Sequence, residues 1–218
     1  MQITMHRALS MLKTTEKRII KELADARFIQ ITVGQTGTCN GKKVSDVENE
    51  IRASYDSVNS LIENYQALKL GIIRANSGMK DNAEDFDAYD IDGKKYIVAE
   101  IIAIQKFVIP MMERFLDTLT HQADAVNSKI EMLNGRVSSE VSGVISAMSN
   151  GDKTKLSSEQ IEAFTKTYYD NHCSFAVDPL KLSEKISALR DKIDKISVEA
   201  DSKLSEVNAL KVIDVDIQ

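Results

Sequence analysis

The chain opens on a helical pattern. From Met5 to Ala26 the apolar residues Ala8, Leu9, Leu12, Ile19, Ile20 and Leu23 recur at helical spacing, which places them on one side of an α-helix. The period then changes to two. Ile29, Ile31 and Val33 alternate with Gln30 and Thr32, which predicts a short strand over 28–33. In the tract GQTGTCNGKK that follows, Asn40-Gly41 predicts a hairpin turn, because a two-residue turn needs positive φ. Ser45 and Glu48 have capping-box spacing, and Val47, Ile51, Tyr55, Val58, Ile62 and Tyr65 continue a helical seam. That helix is expected to reach about Ala75 and to stop at Asn76-Ser77-Gly78.

Residues 79–90 are acidic and aperiodic and read as a solvated loop, and Asp92-Gly93 predicts a second hairpin turn. The longest apolar seam follows. It runs through Ile97, Ile101, Ile104, Val108, Met111 and Phe115, then Leu119, Ala123, Val126, Ile130, Leu133, Val137 and Val141. An unbroken helix of that length would extend roughly 75 Å. Pro110 is expected to kink it, and Asn134-Gly135 marks a place where it can break, so one kinked rod over 97–148 and a helical hairpin both fit.

A short helix over about 158–171 is predicted, then an extended SFAV segment. Asp178-Pro179 reads as a cap followed by proline at the first helical position, opening a helix over 179–210. Its residues Leu182, Ile186, Leu189, Ile193, Ile196 and Ala200 step in coiled-coil register. The alternating tail, residues 212–217, predicts a terminal strand pairing with 28–33. The expected fold is mainly α, with long amphipathic and coiled-coil helices and a small β element. The expected division is a helical domain over 1–150 and a C-terminal helical region over 151–218.

Composition narrows the function. Among 218 residues, 43% are hydrophobic but only 6% aromatic, with no tryptophan, which favours aliphatic helix seams over a thick core with a deep pocket. The formal charge of −5 supplies no overall basic field, so no nucleic-acid partner is expected. No run of 18 apolar residues occurs and the N-terminus lacks a signal-peptide pattern, so no membrane span is expected. Cys39 and Cys173 form no metal-type pair, and a cytoplasmic setting with reduced thiols is the expectation.

The glycine-rich stretch before residue 45 resembles a phosphate-binding loop only superficially. Thr36 stands where the first glycine of that motif is required, and Lys42 is followed by Lys43 in place of Ser or Thr. TCNGKKVSDVENEI at 38–51 resembles YDIDGKKYIVAEII at 89–102, and turn chemistry alone accounts for the shared Asn/Asp-Gly. Lys42, Lys43, Lys94 and Lys95 nevertheless stand near predicted helix starts. They are either solvated turn lysines or candidate ligands for an anion.

The other chemistry-bearing patterns are incomplete. Setting Gly93 as the glycine of a calcium-binding loop puts alanines at the first and last ligand positions, Ala88 and Ala99. His172-Cys173 is the only His/Cys adjacency, and neighbours in sequence usually diverge in direction. The scattered His6, His121, His172 and two cysteines have no zinc spacing, and Met111-Met112 beside Phe115 read as packing. No catalytic residue, metal ion or cofactor is expected.

The first 125 residues or so resemble the septicolysin-like family of small bacterial and phage proteins. The resemblance rests on the helix ALSMLKTTEKRII, the helix carrying SLIENYQALKLGIIRAN with its end near Ile73 to Asn76, the turn IDGKKY and the helix with AEIIAIQKFVIP. The family's threonine-leucine after the glycine turn is replaced here by Lys94-Lys95-Tyr96. The resemblance implies a helical, oligomer-forming protein of phage or mobile-element origin, and brings no catalytic residues. The expected function is therefore non-enzymatic: a homo-oligomer binding a host or phage protein, as a host-defence inhibitor or an assembly or virion component. Its interface is expected on Ile101, Ile104, Val108, Met111, Phe115, Leu182, Ile186, Leu189, Ile193 and Ile196. The alternative is an oligomer that sequesters an anionic nucleotide-like small molecule through the two GKK turns.

Overall fold

A computed structural model describes residues 2–34, 38–77, 88–149 and 157–210. The fold is mainly α, with small two-stranded antiparallel sheets. Helix α1 spans Met5–Asp25. Thr4 opens it, its Oγ1 accepting from the Arg7 N–H at 3.3 Å and its carbonyl from the Ala8 N–H at 2.9 Å. Ala8, Ile19 and Leu23 form its buried side.

Strand β1 is Gln30–Val33, and β2 and β3 are Thr38–Cys39 and Lys42–Lys43. The Asn40-Gly41 turn joins β2 to β3 with φ of 51° and 78°, as predicted. Helix α2 then runs Val44–Asn76, so Ser45 lies inside its first turn and not at the cap position expected of it. Strands β4, Ala88–Ile91, and β5, Lys94–Ile97, form the second hairpin around Asp92 and Gly93, with φ of 52° and 74°.

The long seam forms one continuous helical run. Helix α3, Val98–Ala103, passes into a π-helical turn over Ile104–Val108 and then into α4, Ile109–Met148. In the π turn the Ile109 N–H donates to Ile104 O, five residues back. Pro110 has no N–H to continue the α ladder, and the wider turn falls directly before it. Asn134-Gly135 does not break α4, because the Asn134 amide is turned outward to bond another segment.

That segment is β6, Ser174–Val177, which follows α5, Ser158–His172. Ser157 caps α5 in a reciprocal pair with Gln160. β6 pairs antiparallel with β1, Gln30 opposite Val177 and Val33 opposite Ser174. The strand set against β1 is thus SFAV. Residues 212–217, expected there, lie outside the described residues. Helix α6 is Leu182–Leu210 and begins three residues later than expected. Pro179 sits in a turn, Lys181 has a φ of 52°, and Asp178 reaches past both to cap the Leu182 N–H at 2.8 Å.

The chain divides into two compact units, neither matching 1–150 or 151–218. The first is Met1–Asp25, Asp56–Thr118 and Glu184–Gln218; the second is Ala26–Tyr55 and Leu119–Ser183. Helices α2 and α4 each contribute residues to both units. In the second unit a small core gathers Cys39, Val47, Ile51 and Val177, with Val44 and Leu180 against it. Two α4 amides tie loose backbone to the same unit. Gln122 accepts from the Phe28 N–H at 2.9 Å and donates to Ala26 O at 3.0 Å. Asn134 accepts from the Ser174 N–H at 2.7 Å and donates to Ser174 O at 3.1 Å. Among the described residues no helix is long and apolar enough to cross a membrane.

Candidate functional site

The candidate site lies in the first unit, beneath the β4–β5 hairpin. Its tip needs two consecutive positive-φ residues, which Asp and Gly tolerate, and the Asp90 Oδ1 supports it by accepting from the Gly93 N–H at 3.1 Å. The tip is latched to α6 by a charged pair one helical turn apart. Lys195 Nζ donates to Asp92 Oδ1 at 2.7 Å, and the Asp92 N–H donates to Glu199 Oε2 at 2.7 Å. The Lys195 hydrogen bond and charge hold the Asp92 carboxyl below its usual range, and the same contact raises Lys195.

Under this latch is a cavity of about 70 Å³. Gln66, Asp92, Lys94, Tyr96 and Lys192 supply polar lining, and Ile104, Val108 and Met112 are among the apolar side chains that share it. Burial pushes the Tyr96 phenol up, with the Glu100 charge adding to the effect, so it stays protonated across the neutral range. Glu100 itself is only 1% exposed and is held by the Ile97 N–H at 3.0 Å and by Arg74 Nε at 2.5 Å. A neutral phenol, an amide and two ammonium groups share the lining with the Asp92 carboxylate, whose charge is already met by Lys195. This balance around an aliphatic floor leaves a small anion as the ligand it suits. The volume falls well below the roughly 300 Å³ at which drug-sized ligand pockets begin. It does not accommodate a nucleotide.

The four candidate lysines fall in different surroundings. Lys94 lines the cavity, and Lys95 stands opposite Asp90 across the hairpin. Lys42 and Lys43 belong to the second unit, where Lys42 Nζ is already paired with Glu50 at 2.6 Å and 2.8 Å. Lys43, opposite Thr38, is exposed. Neither Lys94 nor Lys95 lies in the first turn of α3, since both are in β5.

The seam residues assigned to an oligomer interface are mostly inside the chain. Ile101, Ile104, Val108, Met111, Phe115, Leu182 and Ile193 are each 5% exposed or less, so this surface is already covered. Ile186, Leu189 and Ile196 are half-buried. Periodicity marks an apolar face without saying whether the same chain or a second one covers it. The uncovered large apolar side chains lie elsewhere, Leu9 and Ile20 on α1, Ile102 on α3 and Phe107 in the π turn among them.

His172 is engaged within its own helix, and Cys173 is a free, half-buried thiol. The His172 ring stacks on Tyr168 at 4.0 Å with its Nδ1 2.9 Å from Tyr168 O, while the Cys173 N–H closes α5 on Tyr169 O. Among the described residues no group of three or more His, Cys, Asp or Glu is placed to hold a metal ion. Sequence reasoning missed Glu100, Gln122 and Asn134. Only Glu100 carried a signal, as an acidic residue three after the start of a helix. No family model, curated protein or solved structure matches the chain.

Proposed function

We propose that this is a non-enzymatic helical protein that acts by protein–protein contact and self-associates, working in the cytoplasm. The observation that carries this reading is the set of large apolar side chains left uncovered on helices whose other faces are already packed. Leu9 and Ile20 project from α1 beside buried Ala8, Ile19 and Leu23. Ile102 and Phe107 flank buried Ile101 and Ile104, with Lys69 Nζ 3.5 Å from the Phe107 ring centroid. Uncovered apolar surface that adjoins a filled core is where a partner gains most from contact. The septicolysin-like pattern of the first 125 residues adds a phage or mobile-element setting, in which a host-defence inhibitor and an assembly or virion component are both fitting roles. Sedimentation equilibrium on the full chain tests the reading. A dimer or larger species is expected, and a monomer throughout the micromolar range overturns it.

A second reading follows from the cavity at Lys94, Tyr96 and Lys192: capture of a small anion, in place of the nucleotide-like ligand the GKK turns suggested. Phosphate or sulfate would then raise the melting temperature, since a ligand of the native state stabilises it, and Lys94→Ala with Lys192→Ala would remove the rise. An unmoved melting temperature at millimolar anion, matched for ionic strength, rejects it.

A further inference from the structure

Helix α1 exposes Leu9, Lys13, Glu16 and Ile20, spaced 4-3-4. At 3.6 residues per turn these four fall within about 60° of one another, on the flank next to the buried Ala8, Ile19 and Leu23. Leu9 is 51% exposed and Ile20 46%. The order along the stripe is apolar, basic, acidic, apolar. Read backwards it becomes apolar, acidic, basic, apolar, so the stripe is complementary to its own reverse.

We infer that α1 pairs antiparallel with α1 of a second copy, about a two-fold axis passing between Thr14 and Thr15. This deepens the self-association reading and rests on it. In that register Leu9 meets Ile20 of the partner subunit and Lys13 meets Glu16 of the partner subunit. Each contact occurs twice, as two-fold symmetry requires. The four positions take alternate d and a sites of an antiparallel coiled coil, two apolar layers enclosing two layers of opposite charge.

Orientation is decided by charge. A parallel pair in register would set Lys13 against Lys13 of the partner subunit and Glu16 against Glu16 of the partner subunit, which is repulsive at both layers. Neither Lys13 nor Glu16 has an ion pair among the described residues, although the Glu16 charge also acts on the buried Tyr65 phenol of α2. The salt bridge within α1, Arg18 to Glu22 at 3.8 Å, falls on the opposite side. The stripe is about 16 Å long and makes less than a standard interface, so the dimer forms in the micromolar range.

The test is sedimentation equilibrium on the full chain and its charge variants. Lys13→Glu sets carboxylates together at both charge layers and weakens dimerisation by about tenfold, as does Glu16→Lys through opposed lysines. The double variant K13E/E16K restores complementarity and brings affinity back to within about threefold of the parent. Leu9→Ser with Ile20→Ser abolishes the dimer. All four positions are exposed, and unchanged helical circular dichroism and melting temperature show that each variant remains folded. A dimer that none of these changes weakens overturns the α1 pairing and leaves self-association through another surface standing. Single reversals that weaken the dimer without rescue in the double variant also overturn the pairing. A parent protein that stays monomeric overturns the self-association reading itself.

Discussion

Replacing Asn134 by alanine tests the tie between α4 and β6. The Asn134 side chain stands in for a neighbouring strand, accepting from the Ser174 N–H at 2.7 Å and donating to its carbonyl at 3.1 Å. Ser174 is 3% exposed, so water reaches neither group readily while the chain is folded. Truncation removes both partners at once. A buried polar group left without a partner costs about 1–3 kcal/mol, so two of them amount to roughly 2–4 kcal/mol once some water enters the space vacated. The change does not reshape the apolar core, because Asn134 is only half-buried and contributes no large apolar group. Urea unfolding followed by circular dichroism measures the loss as a lower midpoint at unchanged slope. Asn134→Asp serves as the companion variant. It keeps an acceptor for the Ser174 N–H but offers no donor to the carbonyl, and should lose more than half as much. A loss below about 1 kcal/mol for Asn134→Ala would show that β6 does not depend on the amide, and the reasoning would fail.

Three further outcomes follow from local chemistry. Gly34 has φ of 64°, and an added Cβ would lie well inside contact distance of the Asn171 carbonyl oxygen, whereas a Cβ at Gly93, φ 74°, meets nothing. Gly34→Ala should therefore cost about 3 kcal/mol or more against about 1–2 kcal/mol for Gly93→Ala, and equal losses in urea unfolding would contradict the packing argument. The Asp92–Lys195 latch should strengthen the fold above about pH 4, where unfolded Asp92 is ionised, and lose that contribution as pH falls through the lowered folded value. Because Lys195 is raised, the latch also persists until pH climbs above the ordinary lysine range. An NMR titration of the Asp92 carboxyl should show its midpoint moving up in Lys195→Met; identical midpoints would rule the latch out. Burial raises the Cys39 thiol and shields it, while Cys173 is half-buried. A thiol reagent should label Cys173 first in the native protein and reach Cys39 only on unfolding, and the reverse order would contradict this assignment.

Much of the architecture is written in local order along the chain. The 3.6-residue period of Ala8, Ile19 and Leu23 makes α1, and the alternation of Ile29, Ile31 and Val33 makes the strand near β1. Asn40-Gly41 and Asp92-Gly93 make two hairpins because few other residue pairs accept consecutive positive φ. These features depend on nearest neighbours, so a sequence displays them. What covers each apolar face depends on segments far apart in the chain, and there local order is silent. Ile101, Val108 and Phe115 carry the same periodicity whether they meet their own chain or another, and tertiary structure alone places them inside. The same holds for polar side chains that serve distant backbone. Asn134 beside glycine has the local signature of a helix break, yet its amide is taken up by Ser174, forty residues on, and α4 continues. The lysines after the two turns are alike in sequence and unlike in surroundings, since Lys42 is bound by Glu50 and Lys94 lines a cavity that α6 helps to close.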